Sequence, residues 1–193
     1  MMDLTKGKEW KVLLIFSLPI FLGNLFEQLY NIIDTVIVGN LVGARGLAAV
    51  GSSTQIVALT ISVSTGMSIG ASVIISQLYG AKKNKDMKEV IDTNLIFNIL
   101  FSTLLMILAL FCSNFLLKLL NVPVHLLFDA SAYLKTTLLG LPFLFAYNTL
   151  ANILRGLGDS KTPTTILISS VLLNTLLDLL FIKGFAYGLV GAA

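Results

Sequence analysis

The chain is poor in the residues that soluble enzymes and nucleic-acid binders rely on. Only 12% of its 193 residues are charged, about half the share of an ordinary soluble domain. Its one cysteine, Cys112, excludes an intrachain disulfide, and its place in an apolar run reads as a small buried packing residue. Its one histidine, His125, sits in a short connection and reads as solvated; no Ser/His pair or cluster of metal-ligating residues accompanies it. The net charge is +3, and no basic patch alternates with stacking aromatics, so no nucleic-acid partner is expected. No motif asks for an organic cofactor. What is abundant is apolar: 56% of residues are hydrophobic, gathered in long runs. That balance places the chain in the membrane class, with the lipid bilayer as its first partner.

A helix needs about 20 predominantly apolar residues to cross a bilayer. Five runs reach that length, at roughly 12–38, 47–79, 90–112, 128–154 and 163–182, and a sixth begins at 185 and stops at 193. The expected fold is an all-α membrane protein: a bundle of five complete transmembrane helices plus the start of a sixth. The short last run reads as the edge of a fragment or of a truncated gene. The first run follows a basic stretch but passes no small-residue cleavage site, so it is expected to stay as a span, anchored at the headgroups by Trp10. In Arg155–Pro163, Thr162 and Pro163 suit the N-cap and first position of a helix. In the second run Ala58, Ser62, Gly66 and Gly70 recur every fourth residue, a seam suited to close helix contact.

The basic residues give an orientation. Lys6, Lys8, Lys11, Lys82, Lys83, Lys85, Lys88, Arg155 and Lys161 fall at one end of the bundle, against Arg45, Lys118, Lys135 and Lys183 at the other. The expected N-terminus is cytoplasmic.

Ionisable groups inside the spans stand out, because each costs roughly 2.5–3.5 kcal/mol at the bilayer centre on insertion scales. Three qualify: Glu27, Asp34 and Asp178. On a helix Asn24, Glu27, Asn31 and Asp34 form one stripe, bordered by Gln28, and Ser170, Asn174 and Asp178 form another. The first and fifth spans run the same way, which puts Asp34 and Asp178 at similar depth, in one water-filled cavity. Such a pair can hold a proton, gather Na⁺ with Asn174 as a neutral oxygen ligand, or attract a small organic cation. These occupants exclude one another, which is the physical basis of exchange. Pairing with basic groups on neighbouring spans is the alternative, but the spans hold almost none. In the fourth span Asn148 and Asn152 share a face that suits interhelical hydrogen bonds, and with Glu27, Gln28 and Asn31 it can line a substrate cavity. Pro19 removes one hydrogen bond from the first span and marks a bending point, and Pro142 does the same in the fourth.

An enzyme reading rests on Gly156-Leu157-Gly158-Asp159, which matches the GxGD string of intramembrane aspartyl proteases. The polar Ser160-Lys161-Thr162 that follows puts Asp159 in a loop outside the membrane, and a turn with a helix cap accounts for it.

Taken together, Asp34–Gly39, Leu41–Gly43 and Leu47–Gly51 resemble the span 1–2 signature of the multidrug and toxic compound extrusion (MATE) transporters. Gly66–Lys82 is similar to that family's second-span end, Arg155–Pro163 to its loop 4–5, and Asn174–Asp178 with Phe181 and Ile182 to its fifth span. The resemblance implies the N-terminal lobe of a twelve-helix, two-lobe antiporter in a bacterial or archaeal plasma membrane. It implies export of cationic or amphipathic drugs in exchange for H⁺ or Na⁺, with the C-terminal lobe as a missing partner. It implies binding of the coupling ion, H⁺ or Na⁺, at Asp34, Asn174 and Asp178, and bending at Pro19. Lipid-linked oligosaccharide flippases of the same superfamily, or a non-transporting fragment, are the alternatives. A flippase should present an arginine-rich cavity, which these spans lack.

Overall fold

The computed structural model describes residues 8–184 and Gly191; the expected beginning of a sixth span otherwise lies outside the described residues. Among those residues six α-helices account for nearly everything and no strand occurs: α1 (Glu9–Leu41), α2 (Ala44–Gly80), α3 (Asn84–Leu119), α4 (Val124–Leu139), α5 (Leu141–Gly156) and α6 (Lys161–Leu179). A π-helical turn, Leu180–Gly184, continues α6.

The first three helices have 33, 37 and 36 residues, which at about 1.5 Å per residue makes each about 50–55 Å long. They outrun the roughly 30 Å hydrocarbon core. Their polar ends stay helical because lysine and glutamate, as in Lys85–Glu89 of α3, are good helix formers. α1, α2, α3 and the α6 region are each apolar and long enough to cross a membrane, and α4 with α5 makes a fifth span bent by 45°. The bend has a local cause. Pro142, in the first turn of α5, has no N–H to give, and its ring crowds the preceding turn. The Gly140 N–H instead closes on the Thr137 carbonyl at 3.1 Å. Two turns rely on glycine in the left-handed region, Gly43 at φ +85° between α1 and α2 and Gly158 at φ +86° before α6.

The start of α6 differs from the expected Thr162 cap. The helix begins at Lys161, and the side chain of Asp159 holds it: Oδ1 accepts the N–H groups of Lys161 and Thr162 at 3.1 Å each, and Oδ2 accepts the Thr162 hydroxyl at 2.7 Å. These donors, the Thr162 hydroxyl first, hold the Asp159 carboxyl below its ordinary value.

Packing divides the bundle in two. α2, α3, α4 and α5 pack on one another around a core that includes Leu117, Leu134, Leu138 and Phe145. α1 packs chiefly on α6 and touches α2 more lightly. Only Gly23 and Val38 of α1 are buried. α1 and α6 run parallel in a constant register: the Thr164 hydroxyl donates to the Pro19 carbonyl at 3.1 Å, and Tyr30 meets Asn174 and Asp178 further along. At Gly23 an added Cβ would come within 3.3 Å of Thr164 and Leu167, so this helix pair is closely seated.

Two packing expectations are corrected. Ala58, Ser62, Gly66 and Gly70 are all exposed. The face of α2 that packs is the opposite one, with Ser53, Thr60, Ser64 and Ser68 buried. Hydroxyls can be buried there because Ser53, Thr60 and Ser68 each donate to their own helix at the carbonyl four residues back. Cys112, expected in a packed interior, is exposed on α3.

Candidate functional site

The site forms where α1, α6 and α4 approach. α1 carries Tyr30 and Asp34 one turn apart on one face, and α6 carries Asn174 and Asp178 in the same relation. Parallel register brings the two pairs level. The hydroxyl of Tyr30 links them: it accepts from the Asn174 amide (Nδ2) at 3.3 Å and donates to Asp178 Oδ2 at 3.4 Å. Asp178 is buried, with 5% of its surface exposed. Asp34 is half-buried, and its Oδ1 is buried with no hydrogen-bond partner among the described residues. The charge of Asp34 is felt at Asp178, and Tyr133 of α4 lies within reach of both carboxylates.

The structure therefore brings together the three residues expected to bind the coupling ion, Asp34, Asn174 and Asp178. It adds two tyrosines that the sequence reading passed over. Tyr30 had a usable signal, its place one turn before Asp34 on the polar stripe. Tyr133 had none, because its proximity depends on how α4 crosses α1. The group offers oxygen ligands: two carboxylates, an amide carbonyl and two phenols. Such a set suits a proton or a hard cation. No cluster of three His, Cys, Asp or Glu residues exists among the described residues, so a transition-metal site has no support in the donor set.

The other candidates are dispersed. Gln28 and Asn31 are exposed on α1, and the Asn31 carbonyl accepts the Thr35 hydroxyl at 2.7 Å. Glu27 is exposed and close enough to Tyr147 of α5 for its charge to be felt there, as is that of Arg155. Asn148 donates across to the Ser64 hydroxyl of α2 at 3.2 Å. Asn152 is buried and donates to the Asn148 carbonyl at 2.9 Å. The Asn148 amide thus ties α5 to α2, the Asn152 amide bonds within its own helix, and Asn152 exposes little surface to any cavity. Pro19 lies inside α1, with its carbonyl held by Thr164.

The sequence profile described as MatE matches residues 19–180. The chain belongs to the MatE family. It is similar to the probable multidrug resistance protein YpnP of Bacillus subtilis, 38% identical over 191 residues, which cover 99% of this chain and 43% of that relative. It is 28% identical to the multidrug export protein MepA of Staphylococcus saprophyticus, over 97% of this chain and 42% of that one. The structure of a MOP superfamily transporter from Pyrococcus furiosus superposes on it with a TM-score of 0.91 at 28% identity, over 98% of this chain and 42% of that one. The chain thus spans less than half the length of these relatives. MatE membership makes this a multi-pass membrane chain of a transporter family, and Asp34, Asn174 and Asp178 all fall inside the matched region.

Proposed function

We propose that this chain is the N-terminal lobe of a secondary antiporter that exports cationic or amphipathic compounds in exchange for H⁺ or Na⁺. Asp34 and Asp178 bind the coupling ion, and Asn174 and Tyr30 position and complete the site. The observation that carries this reading is the linked set Asn174–Tyr30–Asp178 beside the unpartnered buried oxygen of Asp34. A buried carboxylate oxygen without a donor is unfavourable, and a proton or Na⁺ removes that cost. The site also sits across α1 and α6, the helix pair most weakly tied to the rest. An ion that binds one α1 arrangement better than another shifts their populations by that difference in affinity and by no more. Pro19, already without one helix hydrogen bond, is the point where α1 changes shape. The substrate class follows from the drug-export names of its relatives and from the absence of intramembrane arginine on α1 and α6. The protein resides in a bacterial or archaeal plasma membrane with a cytoplasmic N-terminus, and a C-terminal lobe supplies the second wall of the cavity.

The test is drug accumulation in an efflux-deficient host expressing the complete two-lobe protein with Asp34→Asn. The expected outcome is loss of ion-driven efflux with normal membrane insertion. Wild-type resistance in that variant overturns the reading.

A further inference from the structure

At the end of the bundle opposite the turn at Lys82 and Lys83, the facing ends of α3 and α4 border a half-open cavity of about 540 Å³. Lys118 of α3 and Lys135 of α4 both line it, together with Asn114 and Ser131. We propose that this cavity holds the phosphate headgroup of an anionic phospholipid.

Three observations converge on that ligand. No carboxylate lines the cavity, and none lies within ion-pair distance of either lysine among the described residues. The nearest acid on α4, Asp129, is taken by Arg45 at 2.8 Å. Next, the buried Ser131 hydroxyl donates to the Asn114 carbonyl oxygen at 2.8 Å. That bond orients the amide and leaves its N–H donors for a ligand. The wall therefore offers donors and positive charge, which is the chemistry of an anion site. Finally, Leu127, Phe128 and Ala132 form the rest of the lining, and Phe128 is 81% exposed. Acyl chains can lie against them while the headgroup meets the lysines.

The helix dipole accounts for Lys118 alone, since it stands in the last turn of α3. Lys135 stands well inside α4, where a lysine without a counter-charge is costly at membrane depth, and its long side chain can reach toward the interface. On the orientation read from the basic residues, the site faces the outer leaflet.

The test is native mass spectrometry of the full polypeptide in neutral detergent, titrated separately with phosphatidylglycerol, phosphatidylcholine and inorganic phosphate. Phosphatidylglycerol is expected to be retained in preference to zwitterionic phosphatidylcholine. The Lys118→Gln/Lys135→Gln double variant should lose that preference, with binding weaker by about a hundredfold or more, as expected for two charge-assisted hydrogen bonds. The Lys118→Arg/Lys135→Arg variant and a Lys161→Gln control should keep it. Equal retention of both lipids by the wild type overturns the proposal, and that comparison decides even if the double variant does not fold. Undiminished phosphatidylglycerol binding by a folded double glutamine variant also overturns it. Retention of inorganic phosphate without phosphatidylglycerol rules out the lipid.

Discussion

Among the individual residues, Tyr30 most changes the picture of the site. The two aspartates and Asn174 were legible in the sequence, because charge inside an apolar run is rare and because equal counting along two parallel spans gives equal depth. Tyr30, one turn before Asp34, was passed over, since a tyrosine in such a run reads first as an interface anchor or packing group. Its hydroxyl nevertheless touches both Asn174 and Asp178. Tyr30→Phe keeps the ring and removes that link. One such hydrogen bond contributes about 0.5–1.5 kcal/mol net. Coupling-ion affinity, followed as the concentration of H⁺ or Na⁺ that half-saturates efflux in vesicles, should therefore weaken roughly two- to tenfold, with insertion unchanged. An unchanged half-saturation point would show that the hydroxyl is only a packing group. Glu27, Gln28 and Asn31 share the stripe in sequence, but α1 is so lightly covered that their exposure distinguishes none of them.

For whole helices, the sequence showed five spans in order, but took the fourth, the bent pair α4 and α5, as one run and mistook the packing face of α2. Two stripes of small residues, each repeating every fourth position, lie on opposite sides of that helix. Size alone does not say which faces inward. Bonds within the helix permit burial on either side, since Ser62 on the exposed stripe makes one as Ser53, Thr60 and Ser68 do; what the inward stripe adds is partners on other helices, the Ala130 carbonyl 3.2 Å from the Ser53 hydroxyl and the Thr149 hydroxyl 3.4 Å from that of Ser68. The resulting α2–α5 contact is tight enough to test at a glycine. A Cβ at Gly156 would lie 3.0 Å from the backbone oxygen of Ser72, whereas one at Gly23 meets only the side chains of Thr164 and Leu167 at 3.3 Å. A backbone oxygen inside a helix has little freedom to step aside, while a leucine can turn. Gly156→Ala should thus destabilise the bundle by about 1–3 kcal/mol, the usual cost of overpacking, and Gly23→Ala by less. Thermal unfolding in detergent gives the order; a larger loss at Gly23 would mean that the α1–α6 seam is the more rigid of the two.

Viewed as a whole, the molecule has a firm part and a lightly held part, and the candidate site spans the boundary between them. α2 to α5 share the core, α1 and α6 lean on each other, and Tyr133 of α4 lies within reach of both carboxylates. Short connections alternate the helix directions, so that the turn 82–83 and the loop before α6 share an end, and the α3–α4 connection lies at the other. That alternation, with the clustering of lysine at the first end, supports a cytoplasmic N-terminus. Two exposed positions separate the alternatives. Lys85 opens α3 at the lysine-rich end, and His125 opens α4 at the opposite end, where its backbone carbonyl, and not its side chain, accepts the Arg45 guanidinium at 3.0 Å. In a Cys112→Ala background, a membrane-impermeant maleimide should label His125→Cys on intact cells and Lys85→Cys only after permeabilisation. The reverse pattern would invert the bundle. It would also move the lysine-lined cavity to the inner leaflet, so this one measurement sets which lipids can reach Lys118 and Lys135.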